Sequence, residues 1–173
     1  MSRRGADSKV AKVYTLEENL ELLDRVIRES ESEEFLRLKE FNVRFAVIYV
    51  SNVSDDGEVL PAFKTLPYVV KINSPKDKCV KHVDVEIYID EAYFAEASDR
   101  EKEAVIFGAL NQIEIKYKND MPVFQNDGTV KLSLKQPDMV FAGFSECAKK
   151  YGDESPERKT FRQLTAEFGD ILF

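Results

Sequence analysis

Histidine is almost absent from this chain: of 173 residues, only His82 carries an imidazole. A Ser-His-Asp or Cys-His catalytic arrangement would have to use that residue, whose place before an extended stretch reads more simply as a polar strand entrance. Cysteine is nearly as scarce. Cys79 and Cys147 have no CxxC partner, so neither a disulfide framework nor a cysteine zinc site is indicated, and two reduced thiols are expected. Only seven glycines occur, and none forms a phosphate-cradling loop. No apolar run reaches the roughly 18 residues of a membrane span. The polar stretch from Met1 to Lys9 lacks the apolar middle of a signal peptide. A cytoplasmic location, with no membrane partner, is expected.

What the chain does contain is charge and enough apolar residues for a core: 33% charged, 43% hydrophobic, with a net charge of −7. That balance argues against sequence-independent nucleic-acid binding, which draws on Lys and Arg neutralising phosphates. Arg3, Arg4, Lys9 and Lys12 make a mildly basic tail, but no aromatic platform or basic stripe accompanies them, so direct nucleic-acid binding is not expected. Acidic residues concentrate between Thr15 and Glu40, nine against four basic ones.

Thr15 followed by Glu18 has capping-box spacing. Leu16, Leu20, Leu23, Val26 and Ile27 recur at helical intervals, which predicts a helix over 16–30 with a break near Ser30–Ser32. Val43 to Val50 reads as a strand, as does Tyr68 to Ile72. Val83, Val85, Ile87 and Ile89 alternate with Asp84, Glu86, Tyr88 and Asp90, a strand with one buried and one charged, solvated face. A Mg²⁺ or Ca²⁺ site on Asp84, Glu86 and Asp90 is the less favoured reading of that face. Ser98 and Glu101 form a second capping box, opening a buried helix through residue 115. A helix from Asp138 to about Lys150 ends at Tyr151-Gly152, and a short one covers 156–168. The expected organisation is a flexible tail over 1–13, one α+β domain over 14–152 and an extension over 153–173.

The strand from Val83 to Ile89 and the helix opening Ser98, Asp99, Arg100, Glu101, Lys102, Glu103, Ala104 resemble the phage metallopeptidase-domain family. So do Asp127-Gly128, Asp138 and the Lys150-Tyr151-Gly152 ending. Those proteins resemble small zincins. The resemblance implies a zincin-like fold with an N-terminal helix, a three- to four-stranded sheet, a buried motif helix and a C-terminal helix. In the family the helix leads into a His-Glu-Leu-x-His zinc motif, and a later stretch supplies a third His. Here Gly108 and Ala109 stand where the first His and the Glu would be, and Gln112 replaces the second His. Gln136 and Pro137 lie near the third ligand position. A catalytic zinc needs about three side-chain ligands, with imidazoles at i and i+4 and a carboxylate between them as base. The degenerate motif therefore predicts a chain that is not an enzyme and takes no cofactor. Gly108, costing about 1 kcal/mol in a helix relative to Ala, suggests close packing against a strand, with Phe107 and Leu110 filling the lost site.

Two functions follow as expectations. The first is a phage or mobile-element protein that keeps the scaffold to bind a host or phage protein, inhibiting a host or defence enzyme. The acidic residues Glu29, Glu31, Glu33 and Glu34 and the terminal Phe168, Ile171, Leu172 and Phe173 are its candidate surfaces. The second is an acidic nucleic-acid mimic that occupies a basic channel of a nuclease or polymerase. The apolar C-terminus suits pairing of two copies as well as closure of one.

Overall fold

The computed structural model describes residues 10–136 and 145–168. The chain divides into two compact units, Met1–Lys135 and Gln136–Phe173. The first begins with β1 (Ala11–Glu17), followed by α1 (Glu21–Glu29), α2 (Glu33–Glu40) and β2 (Phe45–Val53). Then come β3 (Val59–Leu60), β4 (Tyr68–Ile72), α3 (Pro75–Lys81), β5 (Val85–Asp90), α4 (Glu91–Glu96) and α5 (Asp99–Asn111). Four short strands close the unit: β6 (Ile113–Ile115), β7 (Tyr117–Lys118), β8 (Met121–Pro122) and β9 (Leu132–Leu134). In the second unit, α6 (Ser145–Tyr151) and α7 (Pro156–Phe168) flank a short 3-10 turn.

The central sheet runs β1-β2-β5-β4, and β3 pairs with the far end of β2. It is mixed: β2 and β5 are parallel, whereas β1 on β2 and β4 on β5 are antiparallel. One face carries Val47, Val70, Val85, Ile87 and Ile89 into a core shared with Leu23, Val26 and Ile27 of α1, Phe35 and Leu38 of α2, and Ile106 and Leu110 of α5. Burial of these side chains, each contributing about 1.5–3 kcal/mol, fixes strand register, because a one-residue slip would turn them outward. The α+β class and the buried helix are as expected.

The first strand is a correction. Ala11 to Val13 belong to β1 rather than to a tail, and Thr15 is in the strand instead of capping a helix. Helix α1 starts at Glu21, its N-cap Leu20 offering no side-chain bond. Leu16, placed on the helical stripe, is 61% exposed on β1. Pairing with β2, from Ala11 opposite Val53 to Glu17 opposite Val47, overrides the local helical spacing. The expected break does occur: Ser30 caps α1, Glu31 takes φ 55°, and the Ser32 hydroxyl accepts the Phe35 N–H to open α2. Helix α5 opens on the expected capping box but stops at Asn111, since Ile113 and Ile115 enter β6 opposite Leu134 and Leu132. The helix over Asp138 to Lys150 lies partly outside the described residues, with only Ser145–Tyr151 seen.

The charged face of β5 is the second correction. Asp84, Glu86 and Asp90 are buried, not solvated. Arg44 grips Asp84 through Nε at 2.9 Å, NH2 at 3.2 Å and its backbone N–H at 2.8 Å. Lys78, only 2% exposed, sits 3.6 Å from Asp84 and donates to Gln125 at 3.0 Å and Thr129 at 3.3 Å. Glu86 accepts from Lys81 at 2.8 Å and from the Tyr88 hydroxyl at 3.0 Å. Asp90 takes the N–H groups of Ala62 and Phe63 on one oxygen and those of Ala92 and Tyr93 on the other. Buried carboxylates persist only when partnered in this way.

Candidate functional site: helix α5 beside strand β4

Helix α5 is held at its start by the reciprocal bonds of Ser98 and Glu101, the Glu101 carboxylate accepting from the Ser98 N–H at 2.7 Å. Val105, Ile106, Ala109 and Leu110 face the core. Gly108 meets β4: a Cβ added there would lie 2.6 Å from the Tyr68 hydroxyl and 3.1 Å from its ring carbon. The mid-helix glycine is thus explained by a phenol from a strand forty residues earlier. Burial pushes the Tyr68 hydroxyl pKa up, so it stays protonated and able to donate. Phe107, expected to fill the site, is instead 44% exposed and packs edge-on against Phe35 at 5.1 Å. Leu110 is fully buried in the core.

The remaining motif positions follow from the helix end. Ala109 is fully buried. Gln112 caps α5, its N–H reaching Ala109 and Leu110 carbonyls and its own carbonyl accepting the Lys135 N–H at 2.7 Å. Gln136 is exposed, and Pro137 lies outside the described residues. Zinc is the ion that a zincin scaffold implies. These positions do not fit it: Gly108 and Ala109 offer no donor atom, Gln112 offers only an amide, and the Tyr68 ring fills the volume a side chain at 108 would need. Among the described residues no group of three His, Cys, Asp or Glu converges as a metal site.

Strand β4 is the other wall. The N–H of Asn73 bonds the Asp84 carbonyl, and the N–H of Asp90 bonds the Pro67 carbonyl. Odd-numbered residues of this stretch therefore turn their backbone groups toward β5, and Tyr68, Val70 and Ile72 turn theirs outward. Among the described residues these outward groups join no ladder: β9 comes close to β4 but pairs with β6. Of the side chains, Val69 and Lys71 are exposed.

The chain matches the model of a protein family described as "Putative phage metallopeptidase" over residues 12–168. It belongs to that family. The α+β fold, with its mixed sheet and buried helix, is consistent with a small zincin-like metallopeptidase domain. No curated protein and no solved structure matches the chain. Family membership corrects one expectation. The chain was expected not to be an enzyme, yet the matched family is one of peptidases by its description, which points to an enzyme.

Glu29, Glu31, Glu33 and Glu34 are exposed along α1 and α2. Three of the four are already partnered, Glu29 with Arg28 at 3.9 Å, Glu33 with Arg37 at 3.8 Å and Glu34 with Lys135 at 2.6 Å. Phe168 ends α7, while Ile171, Leu172 and Phe173 lie outside the described residues. Among the described residues no helix is long and apolar enough to cross a membrane. Tyr68 went unmarked by sequence reasoning, since the only signal for it was the glycine at 108 and glycine does not name its neighbour.

Proposed function

We propose that this chain binds polypeptide in extended form along the outer edge of β4, against helix α5. The observation that carries the reading is the set of outward backbone groups on Tyr68, Val70 and Ile72, left without a ladder beside a close-packed helix. Such an edge adds a strand through main-chain hydrogen bonds and takes side chains of alternate parity for selectivity. Polypeptide is also what a peptidase acts on, so membership of the phage metallopeptidase family supports the same ligand class. Binding and any cleavage would use one edge.

Hydrogen exchange tests this directly. With a reduced, carboxymethylated protein as unfolded probe, the amides of Tyr68, Val70 and Ile72 should gain protection while those of β1 do not. Val70→Pro removes one outward donor without touching the β5 ladder, and should abolish the gain in a chain whose circular dichroism is unchanged. Unaltered exchange at all three amides with saturating probe would rule the reading out.

A further inference from the structure

The sheet has a second margin, and it is built differently. Strand β1 is seven residues long and pairs with β2 along its whole length, and among the described residues no strand pairs with its other edge. Six of its seven residues are exposed, including Tyr14 at 58% and Leu16 at 61%. It contains no proline or glycine, and its only charges are Lys12 and Glu17. Natural sheets guard such edges with bulges, prolines, inward charges or a covering element, because an open apolar edge recruits another strand. Of such guards β1 carries only the edge lysine Lys12 and the inward Glu17 near its two ends; no bulge, proline or covering strand is present among the described residues of this edge.

We infer that a second copy of this chain covers β1, edge to edge and antiparallel, across a two-fold axis normal to the sheet. That axis keeps each sheet face on its own side, so paired residues must share parity. Centring the axis on Thr15 sets Thr15 opposite its own counterpart and Tyr14 opposite Leu16 of the second copy. The same register sets Lys12 opposite Glu18 at both ends. Opposite charges and an aromatic-aliphatic pair then stand where cross-strand pairs stabilise sheets. Within one chain Lys12 and Glu18 are exposed, and among the described residues neither has an ion-pair partner. Shifting the axis to Tyr14 sets Lys12 against Leu16 and loses the charge match, which is why Thr15 is preferred. The product is one continuous sheet from two five-stranded ones, with both β4 strands left outermost. A strand-only contact is small for a protein interface, so the pair should be a reversible one.

Sedimentation equilibrium of the full chain, from about 10 to 500 micromolar, a range chosen for a small interface, should show a monomer–dimer equilibrium. Lys12→Glu and Glu18→Lys should each raise the dissociation constant about tenfold, since each places two like-charged pairs across the strands. The double exchange should restore it, an outcome that a generic loss of surface charge would not give. In a Cys79→Ser, Cys147→Ser background, Thr15→Cys should form an inter-chain disulfide on mild oxidation, because residues opposite one another across strands fall within disulfide reach. A chain that stays monomeric throughout, or a double exchange that fails to restore pairing, overturns the proposal.

Discussion

The two margins of one sheet show how context decides what an edge strand can do. Strand β4 turns Tyr68, Val70 and Ile72 inward against the core and α5, so its free backbone lies beside a wall. Strand β1 has no wall: almost every residue is exposed and only Glu17 approaches the core, beside the Tyr49 hydroxyl. Burial, and the hydrogen bond to Glu17, push that hydroxyl up to about 12. One margin suits a guest of variable sequence held by its backbone. The other suits a partner that matches it in register and charge. Hydrophobicity alone does not separate them, since both expose apolar side chains.

The contrast can be broken most strongly from the β4 side. Asp84→Ala would leave Lys78 buried without its carboxylate and free Arg44, and should cost about 3–5 kcal/mol in urea unfolding. The Asn73–Asp84 bond at the end of β4 should weaken with it, so β4 amides would lose protection before β1 amides. Acid should act in the same direction. Burial pushes the Asp84 carboxyl up, but Arg44, through side-chain and backbone bonds and its charge, together with Lys78, outweighs that and holds it below the usual value. Glu86 is likewise lowered: its burial is outweighed by bonds from Lys81 and Tyr88 and by the charges of Lys81 and Lys71. A carboxylate held low in the fold contributes fully above its unfolded pKa, near 4, and loses that contribution as pH falls through the folded value. A pH titration of unfolding free energy should therefore decline below about pH 4 and flatten for Asp84→Asn.

A smaller effect sharpens the β4 wall. Gly108→Ala gains about 1 kcal/mol of helix propensity but forces the Tyr68 phenol aside, an overpacking cost of about 1–3 kcal/mol. The net should be a modest loss. With Tyr68→Phe the 2.6 Å contact disappears, and Gly108→Ala should become neutral or stabilising; simple additivity in this double-mutant cycle would refute the packing account. The smallest expected effect is the crossed one. Lys12→Glu should leave probe protection on β4 unchanged, and Val70→Pro should leave self-association unchanged, because no residue serves both edges.

Much of the fold was legible where local signals and tertiary demand agree. The bounds of β4 and the capping box at Ser98 follow from composition and spacing, and α7 spans the expected 156–168. Strand β1 was not legible, because Leu16, Leu20 and Leu23 fit a helical stripe and the pairing that overrides it comes from β2, more than thirty residues on. The parity of Asp84, Glu86 and Asp90 on β5 was readable, but not their burial, since their partners come from Arg44, Lys78, Lys81 and distant backbone groups. At the site, Gly108 and Gln112 stood out against the family motif. Tyr68, which gives Gly108 its meaning, did not.

Asp90 ties one more part of the molecule to the β4 margin. Its carboxylate rivets the segment leading into that strand to the first turn of α4, with two amides on each oxygen. The same carboxylate thus fixes the turn that carries Tyr93, an exposed aromatic ring. Removing that carboxylate should loosen both segments together, the approach to β4 and the turn that displays Tyr93.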